Sequence, residues 1–307
     1  MPDAKLEGAL VECRKMIQVG SKSFSLAAKL FDPRSRDAAF FLYGWCRYCD
    51  DQIDQSGTEK EAKLKALIEE THAAYRGTPS DHPVFIAFAE IVRKYQIPEH
   101  YPVELLEGMA MDVRNEYYPT ISALKLYCYR VAGTVGLMMS HIMGLSDERA
   151  LKNACDLGMA MQLTNIARDV MEDAAMGRVY LPLDWLKEVQ VKPAQVGMVE
   201  NRRLVSEVVR KLLDEADGYY RSGLSGLQYL PMRSAFAVSS AGFVYSEIGH
   251  QVRKRGENAW LDRSIVSFPR KIWLLTRGVA SVVWTLPARI RNPWSPASIK
   301  QVWRYSS

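Results

Sequence analysis

Apolar residues recur at i, i+3, i+4 and i+7 along most of this chain. Glu59 to Tyr75, Val84 to Tyr95, Leu124 to Met143, Arg149 to Asp173 and Arg202 to Leu227 all carry that spacing, and alternating β-branched runs that would compete as strands are few. The pattern predicts an all-α protein of about ten helices. Turn-prone dipeptides such as Ile97-Pro98, Leu181-Pro182 and Asn292-Pro293 punctuate it, and Thr58-Glu-Lys-Glu61 predicts a capping box at a helix start. No Gly/Ser-rich or Pro-rich linker interrupts the chain. One domain over 1–307 is expected, with a core from about 15 to 260 and a C-terminal segment from about 261 to 307.

With 307 residues, 48% of them hydrophobic and 24% charged, the chain has enough apolar side chain for a sizeable core, which excludes a disordered, collagen-like or rod-like protein. The most apolar stretch, Gly278 to Ala288, has only 11 residues between Arg277 and Arg289, too few to span a bilayer. The N-terminus mixes acids and bases through its first apolar positions, unlike a secretory or transit peptide, so a cytoplasmic protein is expected. Five scattered cysteines suit a reducing compartment. Cys46 and Cys49 spell C-x-x-C, but without a second pair they read as two thiols on a helix flank.

The net charge of +5 is unevenly spread. From Val252 to Ser307 there are 11 Lys or Arg against Glu257 and Asp262, a local +9, which leaves −4 on the first 251 residues. The same tail holds Trp260, Trp273, Trp284, Trp294 and Trp303, five of the seven tryptophans. Cations interleaved with indoles suit a membrane surface, here the inner face of the membrane; a solvated basic face with its tryptophans turned inward is the equal alternative. No nucleic-acid-binding signature is present, and no nucleic-acid partner is expected.

Two segments carry candidate chemistry. At 100° per residue, Tyr43, Arg47, Asp50 and Asp54 share one narrow helical stripe, and Gln162, Asn165, Asp169 and Asp173 share another. Each stripe therefore presents an i, i+4 aspartate pair among apolar neighbours. Like charges at that spacing repel by a few tenths of a kcal/mol, and Asp is a poor residue for a helix interior. A hard divalent cation, Mg²⁺ or Mn²⁺, would remove the conflict, with Asn165 and Gln162 as neutral oxygen donors on the same stripe. Solvated faces are the competing explanation. The apolar flanks around both stripes favour function.

These blocks resemble the squalene/phytoene synthase family, and within it the bacterial phytoene synthases most closely. The resemblance is carried by Gly20-Ser-Lys-Ser-Phe24, the Tyr43 to Asp54 segment, Tyr127 to Gly136, Leu163 to Pro182, and Pro231 to Gly249 with its Ala-Gly-Phe-Val-Tyr245 run, in the family's order. It implies an isoprenoid-synthase helical bundle in which two Asp-rich helices face each other across a central cavity. It further implies head-to-head condensation of two geranylgeranyl diphosphate molecules to phytoene by way of prephytoene diphosphate, with Mg²⁺ or Mn²⁺ and without a nicotinamide. By the same resemblance Asp50, Asp54, Asp169 and Asp173 are metal ligands assisted by Asn165 and Gln162. Ser21, Ser23, Tyr43, Arg47 and Arg168 fall where the family meets diphosphate, and Tyr127, Tyr180 and Tyr245 where it lines the reaction chamber; Arg47 and Tyr127 join the four aspartates as the implied catalytic residues. Small and apolar residues of Val131 to Met143 and Leu157 to Met161 would form the walls. Arg130 departs from the aromatic residue usual in squalene synthases. A squalene or dehydrosqualene synthase using farnesyl diphosphate, and a non-catalytic helical assembly protein, remain as alternatives; a downstream carotenoid enzyme is an implied partner.

Overall fold

The computed structural model describes residues 2–20, 28–145, 147–262, 266–291 and 305. Helices α1 (Pro2–Gly20), α2 (Pro33–Asp54), α3 (Lys60–Tyr75), α4 (Pro83–Tyr95) and α5 (His100–Val113) come first. They are followed by α6 (Ile121–Cys128), α7 (Thr134–Ile142), α8 (Glu148–Ala175), α9 (Leu183–Glu188), α10 (Arg202–Ser225), α11 (Met232–Arg255), α12 (Phe268–Trp284) and α13 (Leu286–Arg291). The described residues include no strand, as the periodicity predicts.

Local chemistry sets the ends. Asp32 accepts hydrogen bonds from the Arg34 and Ser35 amides, both at 3.1 Å, and Pro33 supplies a pre-set φ at the first position of α2. Asp147 does the same for α8 through Arg149 N at 2.9 Å and Ala150 N at 3.3 Å. The capping box expected at Thr58 does not form. Gly57 has φ +54°, which winds Gly57–Glu59 into a short 3₁₀ turn; Thr58 lies inside that turn and α3 begins at Lys60 with no side-chain cap.

The helix expected over Leu124 to Met143 is interrupted. Residues Tyr129–Gly133 form a π turn between α6 and α7, and Thr134 Oγ1 donates to the Arg130 carbonyl at 2.7 Å. Arg130 itself pairs with Glu104 of α5 at 2.9 Å.

Helix α8 is the axis of the structure, with α7, α10 and α11 packed around it. It approaches α7 and the π turn before it backbone to backbone: a Cβ on Gly136 would lie 2.3 Å from the Ala154 carbonyl oxygen, and one on Gly158 2.3 Å from that of Ala132. Helix α2 packs against α1 and α4 through buried side chains such as Trp45, whose ring stacks on Phe88 at 4.3 Å. A smaller apolar cluster of Phe243, Val244, Ile248, Val266 and Leu274 joins α11 to α12.

The tail divides the two readings of its tryptophans. Trp260 turns inward, and its indole N–H donates to the Ala167 carbonyl of α8 at 3.1 Å. Trp273 and Trp284 turn outward, 47% and 87% exposed; Trp294 and Trp303 lie outside the described residues. No described helix is long and apolar enough to cross a membrane.

Candidate active site

A cavity of about 340 Å³ opens between α2, α7, α8 and α11. The walls expected from the sequence are there: Val131, Ala132, Val135, Gly136, Met139 and Met143 on one side, Leu157, Gly158 and Met161 on α8. Helix α2 contributes Leu42, Tyr43 and Cys46, and α11 contributes Tyr245. Polar lining is confined to few groups, among them Tyr43, Gln162, Asn165 and Tyr245, all from the motif segments. Burial pushes the Cys46 thiol up to about 12, so it stands as a neutral wall residue rather than a thiolate.

Both acidic stripes end at one place. Arg178, three residues beyond α8, donates to Asp54 Oδ1 of α2 at 3.1 Å, so the C-terminal ends of the two stripes are tied across the gap. Asp112 of α5 sits in the same field and interacts repulsively with Asp50, Asp54 and Asp173. Burial, then the Asp54 charge, pushes the Asp50 carboxyl up to about 6 while Arg47 pulls it back. Half of the Asp50 side chain stays exposed, so solvent tempers that shift. Burial, then Asp169, pushes Asp173 up to about 7, against the pull of Arg178.

Arginines neutralise part of the acidic charge. Arg47 reaches Asp50 at 3.3 Å and Asp51 at 2.6 Å, and Arg168 grips its neighbour Asp169 through Nε at 2.7 Å. On α8, Asn165 Nδ2 donates to Gln162 Oε1 at 3.5 Å, and the Asn165 Oδ1 is a buried acceptor with no hydrogen-bond partner. A buried carbonyl oxygen without a partner costs about 1–3 kcal/mol, so a donor or cation that met it would be stabilised.

The donor set fits a hard divalent cation: four aspartates, an orphaned amide oxygen, and two carboxyl groups raised first by burial and then by a neighbouring aspartate. Among the described residues no three acidic, His or Cys side chains converge into a closed cage. Such a set suits ions that complete their shells with phosphate oxygens and water.

The three tyrosines separate. Tyr245 lines the cavity, whereas Tyr127 and Tyr180 donate to the two oxygens of Asp112, at 2.9 Å and 2.7 Å, with their rings stacked 5.1 Å apart. Burial raises the Asp112 carboxyl, and the two phenols oppose the shift. Asp112 and Arg178 went unpredicted. Asp112 is a lone charge in the apolar run Gly108 to Val113, the one signal that could have singled it out; Arg178 stands inside the Leu163 to Pro182 block. Ser21 and Ser23 lie outside the described residues.

Comparison with known proteins agrees with this geometry. The family model described as squalene/phytoene synthase matches residues 17–271. The chain is 42% identical over 294 residues to a 15-cis-phytoene synthase of Pantoea ananas, covering 92% of this chain and 94% of that one. It is 41% identical to the 15-cis-phytoene synthase of a Paracoccus species, covering 94% of each. Among solved structures, a dehydrosqualene synthase in complex with ligand superposes with a TM-score of 0.85 at 27% identity, over 92% of this chain and all of that one. Two matched acidic helices, the cavity between them and similarity along nearly the whole length lead to one assignment: the chain belongs to the squalene/phytoene synthase family.

Proposed function

We propose that this protein is a phytoene synthase that joins two geranylgeranyl diphosphate molecules head to head and releases diphosphate. The observation that carries the reading is the 42% identity to a 15-cis-phytoene synthase across 92% of the chain, set on a cavity that Tyr43, Gln162, Asn165 and Tyr245 of the motif segments line.

Asp50, Asp54, Asp169 and Asp173 with Asn165 would hold divalent ions, and Gln162 would support Asn165. Bound there, Mg²⁺ or Mn²⁺ would neutralise diphosphate as a leaving group. Arg47 lies on the first stripe and Arg168 adjoins the second through its pair with Asp169, so both would offer guanidinium donors to arriving diphosphate oxygens. One substrate then loses diphosphate, and its C1 bonds across the 2,3 double bond of the other with loss of a proton, giving the cyclopropyl prephytoene diphosphate. A second loss of diphosphate, rearrangement and a second proton loss give phytoene. The apolar walls from Val131 to Met143 and Leu157 to Met161 exclude water, which would otherwise capture the cation as an alcohol. Asp112 holds the Tyr127 and Tyr180 phenols as donors, so their lone pairs point away from it.

The outward residues of α12, among them Ile272, Trp273, Val279 and Trp284, support contact with a membrane surface, which would receive so insoluble a hydrocarbon before a downstream enzyme takes it.

Purified protein with Mg²⁺ or Mn²⁺ and no NADPH, given farnesyl and geranylgeranyl diphosphate separately, tests the reading. Phytoene from the C20 substrate is expected. Dehydrosqualene from the C15 substrate as the sole product, or squalene once NADPH is added, would overturn the substrate assignment.

A further inference from the structure

A second cleft, of about 290 Å³, lies between α10, α11 and α12 and shares no lining residue with the central cavity. Its acids are already engaged. Glu247 accepts from Nε and Nη2 of Arg270 at 3.0 and 2.9 Å, and Asp217 accepts from Arg253 at 2.9 Å. Two further guanidinium groups face the same space with no carboxylate partner among the described residues: Arg221 from α10 and Arg277 from α12.

Arg277 is held by rings instead of by charge. Its guanidinium lies 4.8 Å from the centroid of Phe243 and 5.8 Å from that of Trp273, while Arg270 lies 4.2 Å from the Trp273 centroid. Stacking of this kind occupies the faces of a guanidinium and leaves its N–H edge available. The exposed His250 and the Ser246 hydroxyl add donors at the rim, and Leu224 and Leu274 give an apolar floor. Two unneutralised cations in one cleft repel each other. An anion in the cleft would relieve that repulsion.

Guanidinium forks match phosphate oxygens two at a time. The volume is several times the ~30 Å³ share of one water molecule, and the floor is apolar, so the space accommodates an organic substituent along with the charged group. We propose that the Arg221–Arg277 cleft is a phosphate-binding site, separate from the central cavity, for a phosphate that carries a small organic substituent. A phospholipid headgroup and a soluble phosphate ester both present that chemistry, and the site does not depend on the substrate assigned above.

Arg221→Gln/Arg277→Gln and Arg221→Lys/Arg277→Lys proteins, compared with the wild type, test it with two probes. The first is sedimentation with vesicles of phosphatidylcholine alone or mixed with phosphatidylglycerol; the second is the thermal shift given by glycerol 3-phosphate. The Gln pair should bind at least about tenfold more weakly, the Lys pair should fall between it and the wild type because a point charge replaces each fork, and turnover of soluble prenyl diphosphate should be unchanged. A loss confined to the mixed vesicles identifies the lipid source; a loss confined to the thermal shift identifies the soluble one. Equal responses of Gln pair and wild type to both probes, or no response of the wild type to either, would overturn the site. Should the Gln pair lose its cooperative melt, Arg221→Gln alone gives the same comparison, because that exposed side chain strands no partner when removed.

Discussion

Replacing Asp112 separates its structural role from its chemical one. Its two oxygens accept the Tyr127 and Tyr180 hydroxyls at 2.9 and 2.7 Å, and all three groups are largely enclosed. Asp112→Leu removes both acceptors and strands two phenols. Hydrogen bonds to a charged acceptor contribute about 1.5–3 kcal/mol each, giving roughly 3–6 kcal/mol for the pair. Relief of carboxylate burial and of repulsion from Asp54 and Asp173 offsets part, which leaves a net loss of about 2–4 kcal/mol. At roughly 2–4 °C per kcal/mol, the melting temperature should fall by about 5–15 °C. Asp112→Asn behaves differently. Its amide oxygen accepts from one phenol while its NH₂ donates to the other, so the melt should stay within about 3 °C of the wild type. One phenol must then turn its proton away from position 112, and turnover should drop by at least about tenfold, the effect of one misdirected hydrogen bond of about 1.4 kcal/mol. Differential scanning calorimetry and phytoene formation by chromatography read the two effects. An Asn variant with wild-type turnover, or a Leu variant with a wild-type melt, would refute the reasoning.

Asp50→Asn and Asp173→Asn should each lower turnover by about 100-fold or more with the fold intact, since each removes a charge from a repulsive set; full activity in both would end their assignment as ligands. In chelator, the raised Asp50 and Asp173 carboxyls favour the protonated folded state. Their contribution to stability is therefore complete below the unfolded value of 3.8 and is lost as pH rises through about 6 and about 7. The metal-free melting temperature should fall between about pH 5 and about pH 8, and Mg²⁺ should restore more of it at the upper end; a flat profile with and without Mg²⁺ would contradict this. Gly158→Val should disrupt the packing of the π turn against α8, because even a Cβ there meets the Ala132 carbonyl oxygen at 2.3 Å, and circular dichroism at increasing temperature would record it.

The helical periodicity and the two stripes were legible because each rests on spacing within one segment, as in Gln162 to Asp173. Relations between segments were not. Asp112 acquires its meaning from Tyr127 and Tyr180, 15 and 68 residues away, and Arg178 from Asp54, 124 residues away. The π turn at Tyr129–Gly133 was invisible for another reason: its residues satisfy the 3.6-residue pattern well enough that one extra residue per turn leaves no mark on polarity. The capping box failed because Gly57 takes a left-handed φ, which sequence spacing does not report.

That π turn sets a rotational offset between the halves of one long helix. A residue added to a turn swings everything after it by about 100°, so the face that α7 shows to the cavity is out of phase with the face α6 would have continued. Val135, Gly136 and Met139 form the wall only in that phase. Deleting a single residue between Tyr129 and Gly133 would therefore leave composition and helicity almost untouched, yet turn the lining of the chamber away from its contents, as a key cut correctly but inserted at the wrong angle.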